Sequence, residues 1–401
     1  MKKLSIILSV LLLVPLLTVS GLAADDYENP GAFNKFGTKS YGMGGAFTAV
    51  ADDASTIYWN PAGLTQSNLI GVQASAGSQL SPSDIKGILS FIKDVKDVDA
   101  DTLSISEAKD QIDFENLPNN LTINVNGMAA ANLTKFGVGG IANDTFRFEK
   151  TGLEFSEETK DRLSEEELET LEDEIKDKVN VPAANNDLLT QGLVGYGTNI
   201  IDPPIIGSIA IGGTGKFLYM RSDRAKFKAH LEEDATLNDL DVEKDIGYKF
   251  ATSDNEPQTG FGADVGALAT LSDIDILNAK AGVTVRNAFS TLDADYPTLQ
   301  RSVTLGTGLT FKFPLVEVLS ARVAGDLEIL EPTGAAKKVQ RLGAEGTVGP
   351  FSVRGGVYGT DIKDGDQRTI TGGVGLNLPF IDFNLAADSD AYVNFSGTFN
   401  F

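Results

Sequence analysis

The groups with the most chemical potential gather near the front of the chain, in Ser40–Leu64: SYGMGGAFTAVADDASTIYWNPAGL. Gly42, Gly44 and Gly45 invite comparison with a phosphate-binding loop. They lack the spacing of a dinucleotide fingerprint and the Gly-Lys-Ser that would cradle a nucleotide phosphate. Asp52 and Asp53 have the donor atoms of a cation site, but no EF-hand-like periodicity comes after them. Asn60-Pro61, leading into Ala62-Gly63, is a turn signal. Small residues throughout let the backbone approach other backbone closely, so the segment reads as a packed unit.

Hydrolysis by a Ser-His-Asp triad would need His230, the single histidine in the chain. It stands beside Arg224, Lys226 and Lys228, whose charge would lower its basicity, and no Gly-x-Ser-x-Gly elbow is present. Asp361–Asp366 has the composition of a calcium loop, but Asp364-Gly365 is the commoner hairpin turn. The sequence therefore predicts neither enzyme activity nor a cofactor. A formal net charge of −23 argues against nucleic acid, which needs a basic surface to displace counterions. With no cysteine, disulfide scaffolds and thiolate metal sites are excluded.

The elements that position these residues begin with a leader. Lys2 and Lys3, the apolar run Leu4–Val19 and the small residues Gly21-Leu22-Ala23 read as a secretory signal peptide spanning 1–23. No later apolar run approaches the roughly 20 residues of a membrane helix. The exported chain is then either soluble or crosses a bilayer as a closed β-barrel.

Period-two alternation dominates the later part of the chain. In AYVNFSGTFNF, Val393, Phe395, Gly397, Phe399 and Phe401 share one face, and Asn394, Ser396, Thr398 and Asn400 the other. Val303, Leu305, Leu309, Phe311 and Phe313 oppose Ser302, Thr304, Thr310 and Lys312. Ala321, Val323, Leu327 and Ile329 oppose Arg322, Asp326 and Glu328. Ala279, Ala281, Val283, Val285 and Phe289 oppose Asn278, Lys280, Thr284 and Arg286. About fourteen such stretches run from Asn68 to Phe401.

A soluble sandwich and a transmembrane barrel both alternate in this way. Strands near the roughly 9–11 residues of a tilted spanning strand, ions on the polar faces and a chain ending on an amphipathic strand favour the barrel. The fold class is therefore all-β: a transmembrane antiparallel β-barrel of about 14 strands. Two insertions predict helices on the outer side. In Ser81–Asp113, Ile85, Ile88, Leu89, Ile92 and Val95 fall at helical spacing. In Leu163–Val179, a capping box at Ser164–Glu167 leads into Leu168, Leu171, Ile175 and Val179. Glu232–Asp245 reads as a solvated acidic loop.

GMGGAFTAVADDASTIYWNPAGL resembles the N-terminal region of the FadL/TodX-like outer-membrane transporter family, including its TraF-like and PorV-like relatives. The residues that carry the likeness are Gly42, Gly44, Gly45, Ala46, Ala51, Asp52, Asp53, Ala54, Asn60, Pro61, Ala62 and Gly63. The resemblance is specific over about forty residues and architectural beyond them. It implies an outer-membrane location in a diderm bacterium and an N-terminal hatch, residues 24–66, folded into the lumen of a barrel of residues 67–401. It also implies that Phe399 and Phe401 form a signal to the barrel-assembly machinery, with outer-membrane lipid around the wall.

A lumen of that width cannot be filled by its own side chains, so a compact hatch that occludes it makes physical sense. Its carboxylates Asp52 and Asp53 need partners, and Arg286, Arg322 and Lys280 are the candidates. In the transporters ligand leaves through a kinked strand beside the hatch. Gly137, Gly139 and Gly140 place clustered glycine in an early strand here, where it could bend or simply be small.

The leading function is passage of hydrophobic small molecules, fatty-acid or hydrocarbon-like. The alternative is a non-transporting barrel that anchors or assists surface proteins, with a protein partner. A polar-solute porin is the third reading. Tyr58-Trp59 before Asn60 and Gly63 after Ala62 depart from the transporter pattern and are closer to the TraF-like and PorV-like relatives; the acidic insertions depart from it too.

Overall fold

The structure, a computed structural model, describes residues 35–67, 69–79, 103–104, 120–150, 154–165, 168, 170, 182–201, 207–231, 246–254, 256–274, 276–292, 300–313, 319–330, 337–365 and 367–401. The expected signal peptide, the expected helix in Ser81–Asp113 and the acidic stretch Glu232–Asp245 lie outside the described residues, residues 103–104 excepted.

Fourteen antiparallel strands close into one barrel. They are β1 (Ile70–Gln79), β2 (Asn120–Leu133), β3 (Phe136–Lys150), β4 (Pro182–Ile201), β5 (Ile209–Leu231), β6 (Gln258–Ile274) and β7 (Leu277–Ser290). The second half holds β8 (Ser302–Lys312), β9 (Leu319–Leu330), β10 (Lys337–Val348), β11 (Phe351–Gly359), β12 (Arg368–Asn377), β13 (Ile381–Asp388) and β14 (Tyr392–Asn400). Closure comes from β1 pairing with β14, Gly71 opposite Asn400 through Gln79 opposite Tyr392. At the seam Ile70 and Phe401 exchange backbone hydrogen bonds of 3.0 and 2.8 Å.

The alternation is turned inside out relative to a soluble sandwich. Val393, Phe395 and Phe399 are about half exposed, at 49%, 52% and 48%, while Asn394, Ser396 and Thr398 between them are buried. Val125 and Leu133 face outward and Asn124, Asn126 and Asn132 inward. In a sandwich the apolar face would be the dry one. A wall with aliphatic and aromatic side chains outside and amides, hydroxyls and ions inside is the surface of a barrel that sits in a bilayer.

Strand length is uneven, which the even spacing of the sequence pattern did not predict. β4 has 20 residues and β5 has 23, whereas β13 has 8 and β14 has 9. A spanning strand needs about 9–11 residues, so β4 and β5 continue past the bilayer. The excess is paired: Asp223–Leu231 of β5 bonds to the additional strand Ile246–Asp254, which in turn pairs with Leu103–Ser104. Strand parity puts the long connections 80–119, 151–181 and 232–257 at one end, opposite Ile70 and Phe401. In the second of them Ser156 caps a helix, Glu157–Arg162, that sequence periodicity did not reveal. Leu168 N–H donates to the Ser164 carbonyl at 3.0 Å, one helical turn of the expected Leu163–Val179 element, whose remainder lies largely outside the described residues.

Among the register shifts of the described wall, the one in β7 bears on the inner face. Between Val285 and Phe289 the pairing of β7 with β6 skips, so Arg286, Asn287 and Ala288 stand against Asp264. Asn287 takes φ 49° there, and both Arg286 and Asn287 are buried. The bulge aims two successive polar side chains at the lumen where regular alternation would aim one.

Val374 is 52% exposed on the outer face of β12, so Val374→Arg is expected to cost about 2–4 kcal/mol by placing a charge against lipid. Urea unfolding in liposomes measures this. The inward-facing Thr371→Ser serves as the control and is expected to change stability by less than about 1 kcal/mol.

Candidate functional site

The lumen is occupied by the chain's own residues 35–66. They contribute the short helices α1 (Thr38–Gly42) and α2 (Thr56–Trp59) and a 3-10 turn, Pro61–Thr65. Helices this short cannot satisfy their own backbone groups. The wall does much of it for them. Asp326 on β9 accepts from the N–H groups of both Phe47 and Thr48, at 3.0 and 2.9 Å. Wall hydroxyls donate to three carbonyls: Thr214 to Ile57 at 2.9 Å, Thr284 to Trp59 at 3.1 Å and Thr371 to Gly42 at 3.3 Å. Asn394 donates to the Lys35 carbonyl at 3.0 Å. Buried backbone polar groups left without partners would each cost about 1–3 kcal/mol, so this pairing is a condition of the segment being there.

Steric fit is as specific as the polar pairing. A Cβ built on Gly212 of β5 would overlap the backbone of Pro61 and Ala62, and one on Gly266 of β6 would overlap the Asn60 side chain. On the opposite wall, a Cβ on Gly343 or Gly356 would collide with the backbone of Met43 or Gly44. These wall glycines carry no strain of their own; the segment's backbone fills the space a side chain would take. Gly44 and Gly45 do need to be glycine conformationally, at φ 64° and 72°.

Asn60 is the hub of the turn. Its Nδ2 donates to Thr48 O within the segment at 2.9 Å and to Ala267 O on β6 at 3.2 Å, while its Oδ1 accepts from Ala62 N–H at 3.1 Å. Pro61 comes next with no N–H to lose, and starts the 3-10 turn. Beside it an aromatic nest forms the segment's core. Trp59 meets Tyr58 and Phe47 edge-on at centroid distances of 5.4 and 6.2 Å, and its indole N–H donates to Phe36 O at 3.0 Å. The Arg286 guanidinium from the β7 bulge lies over both rings, 4.9 Å from Tyr58 and 5.2 Å from Trp59.

Two ionic clusters flank the nest. In one, Asp52 is held by Lys39 at 2.9 Å and by Arg322 at 2.8 Å; Arg322 also reaches Glu345 at 3.7 Å, and Arg354 pairs with Glu345 at 2.5 Å. Burial alone would raise the Asp52 carboxyl. The Arg322 guanidinium and Lys39 ammonium outweigh burial and hold it well below the usual carboxylate range. Asp53 goes the other way, pushed up by burial against the pull of Lys39, with Asp52 repelling it; its carboxylate accepts from Ser55 N–H at 2.9 Å. In the second cluster Glu328 is shared by Arg286 at 3.4 Å and by Arg341, and Lys216 bridges Asp264 at 2.7 Å and Asn287 at 2.9 Å.

Of the three wall cations expected to meet the paired acids, Arg322 does so. Arg286 is instead drawn to Glu328 by the bulge, and Lys280 to Gln66. Lys39, inside the segment itself, is the partner that the wall-centred reading left out. Gly137, Gly139 and Gly140 lie on a strand whose register is continuous with both neighbours, so the wall is closed beside them in this conformation. Gly137 leaves room for Ile57 and Leu64 of the segment, whose side chains would be 3.2 and 3.0 Å from a Cβ there. Among the described residues no group of three or more His, Asp or Glu side chains is placed to hold a metal ion.

At the long-connection end the lumen changes character. A cleft of about 580 Å³ opens against β5 and the start of β6, lined by Met220, Ser222, Glu256, Pro257 and Gln258. Beneath it Leu189 and Leu218 are buried with Met220 and Leu292 packed on them. These leucines sit on inward positions and form a cluster of their own, separate from the one in which Met128, Ile141 and Leu193 of the wall pack on the segment.

No protein-family model matches the chain, and no curated protein matches it by sequence. Solved structures do. The fold is similar to that of the TodX monoaromatic hydrocarbon channel in a deltaS2S3 mutant, with a TM-score of 0.51 and 10% identity, covering 91% of this chain and 99% of that one. It is also similar to the P. putida toluene transporter TodX, at TM-score 0.49, 10% identity and coverage of 92% and 99%. A Pseudomonas aeruginosa FadL homologue aligns at TM-score 0.43 and 10% identity, over 91% and 98%. At such identity the likeness concerns the barrel's architecture.

The seating of the segment has two measurable consequences. Arg322→Glu is expected to unseat the segment and raise single-channel conductance in planar bilayers several-fold, while Arg322→Lys keeps it closed. A depressed Asp52 contributes stability at pH above the ordinary carboxylate range and loses it only as pH falls through the depressed value. Protonating the raised Asp53 on the way removes its repulsion with Asp52. Conductance of the wild type is therefore expected to stay flat from pH 7 to about 4, which a pH series of bilayer recordings checks.

Proposed function

We propose that the protein is an outer-membrane barrel that passes hydrophobic small molecules inward past a lumenal plug, residues 35–66. The observation that carries this reading is the apolar patch of Leu189, Leu218, Met220 and Leu292 under an open cleft, set on the lumen side of the wall and apart from the apolar cluster that packs on the plug. In a water-filled porin such leucines would have no reason to face inward. A molecule arriving from outside would exchange water for that patch before meeting the plug below it. The architecture shared with a monoaromatic hydrocarbon channel supports the same reading.

Each part of the chain has a task under this proposal. Outward phenylalanines and aliphatics keep the wall in lipid, with Phe399 and Phe401 on the closing strand serving as its assembly signal. Gly42, Gly44, Gly45, Asp52, Asp53, Asn60, Pro61, Ala62 and Gly63 hold the plug's shape and seat it. The long connections face the exterior, as barrels of this kind place them. The leader that the sequence indicates would deliver the chain to the periplasm of a diderm cell. Gly137, next to Ile57 and Leu64 of the plug, with Gly139 and Gly140 farther along the same strand, is where the wall would yield if ligand leaves sideways.

The test is uptake of labelled toluene, at low concentration, by cells producing the protein. The partly buried Met220→Asp is expected to lower uptake about tenfold, the worth of one buried aliphatic side chain, with folded barrel in the membrane unchanged. Wild-type uptake no faster than in cells without the protein would overturn the proposal, the more so if the barrel copurified with a protein partner.

A further inference from the structure

We infer that the apolar patch takes hydrophobic molecules carrying a neutral hydroxyl, alkylphenols or alcohols, and prefers them to analogues without that proton. This rests on the transport reading above and narrows its substrate class.

Two acceptor atoms beside the leucines carry it. Asn143 of β3 and Gln191 of β4 are buried, at 7% and 6% exposure, and Asn143 Oδ1 and Gln191 Oε1 have no hydrogen-bond partner. Both residues stand at inward positions. Asn143 is directly opposite Leu189, which is opposite Met220, and Gln191 is directly opposite Leu218. Side chains facing each other across a strand pair lie about 5 Å apart at Cβ, so each amide borders the patch. A buried acceptor without a donor is costly, and two of them at the edge of one apolar cluster mark where a donor belongs.

The neighbouring donors are already spent or out of reach. Thr145 Oγ1 donates to Asn124 Oδ1 at 2.9 Å, so it can only accept from Asn143 Nδ2, at 3.4 Å. That chain fixes the amide with its oxygen unpartnered. Ser222 Oγ donates to Asp187 Oδ1 at 2.7 Å. Arg147 lies 3.6 Å from Asp187, and Arg224 stands opposite Asn185, two inward positions beyond Met220. A water needs two to four polar partners, and on the β4–β5 side it would find Leu189, Leu218 and Met220. The donor is therefore one that a ligand brings. It is neutral, because a charge set among leucines would be desolvated without a counter-ion.

Entry is from the cleft. Met220 and Leu292 are the partly buried members of the cluster, packed on the fully buried Leu189 and Leu218. A ring that enters displaces the first two and lies on the second two. Neighbouring strands are about 4.8 Å apart, which puts Asn143 about 10 Å from Met220 across Leu189. An alkylphenol spans this with its hydroxyl on the amides and its alkyl chain toward the cleft.

The experiment compares 4-propylphenol, 4-propylanisole and propylbenzene binding to the full-length protein in phosphatidylcholine nanodiscs. Calorimetry is run at pH 7, where a phenol is neutral, with empty nanodiscs subtracted. The phenol is expected to bind about ten times more tightly than the anisole, which keeps the oxygen and lacks the proton. In the double variant Asn143→Leu, Gln191→Met the two should bind equally, while propylbenzene binds at least as tightly as to the wild type. Both changes keep side-chain shape and remove unpartnered acceptors, so the barrel is expected to fold. Anisole binding as tightly as the phenol to the wild type, or a preference unmoved in the double variant, would overturn the hydroxyl selection while leaving hydrophobic binding intact. Failure of all three to bind beyond empty nanodiscs would overturn the transport reading and this inference with it.

Discussion

The structure depends on close backbone-to-backbone approach between the lumenal segment and the wall. A fourteen-strand barrel is too wide to fill with its own inward side chains. This one fills the space with 32 residues of irregular chain, from Lys35 to Gln66, and irregular chain is costly to bury because its N–H and C=O groups have no ladder to join. The wall answers with glycines where the segment's backbone must come near and with hydroxyls, amides and Asp326 where its polar groups need partners. Neither device works without the other. A side chain at Gly212 or Gly356 would hold the backbone too far away for Thr214 or Thr371 to reach it.

The ionic clusters arise from the same constraint. Once the segment is seated, Asp52 and Asp53 are carried into a poorly solvated place, and a charge buried without a partner is far more costly than the pair is worth. Lys39 and Arg322 meet Asp52 from two sides, one from the segment and one from β9. The second cluster, around Glu328, sits over the aromatic nest and depends on the β7 bulge. Without the skipped register at Asp264, Arg286 and Asn287 could not both turn inward, and the rings of Tyr58 and Trp59 would lose their guanidinium cover. A local defect in the ladder therefore serves contacts made by residues more than 200 positions earlier in the chain.

Much of this was legible in the sequence, and for identifiable reasons. Period-two alternation is a property of single strands, so Val393–Phe401 and Ser302–Phe313 disclosed which face was which without knowledge of their neighbours. The small-residue character of Ser40–Leu64 disclosed that it packs against backbone. The sequence could not disclose register, because pairing is set between strands; hence Arg286 and Lys280 looked as eligible for Asp52 as Arg322 did. It also could not mark the bulge at Asn287, a polar residue with positive φ in an otherwise regular run. Gly212, Gly266, Gly343 and Gly356 stand at inward parity on their strands, and that parity was the available sign that they form the seat. The lengths of β4 and β5 were hidden because their outer parts, Asn185–Asp187 and Arg221–Lys228, carry polar or ionic residues on both faces, as a loop would.

Hydrogen exchange read by mass spectrometry, on the protein in lipid nanodiscs, tests the central claim most directly. If the segment is seated as a structural part of the barrel, peptides covering Phe36–Leu64, and the Phe47 and Thr48 amides held by Asp326 in particular, should exchange as slowly as β8–β11. Exchange of those peptides as fast as the exposed turn 361–365 would contradict it, because a segment that opens that freely is not held by the wall.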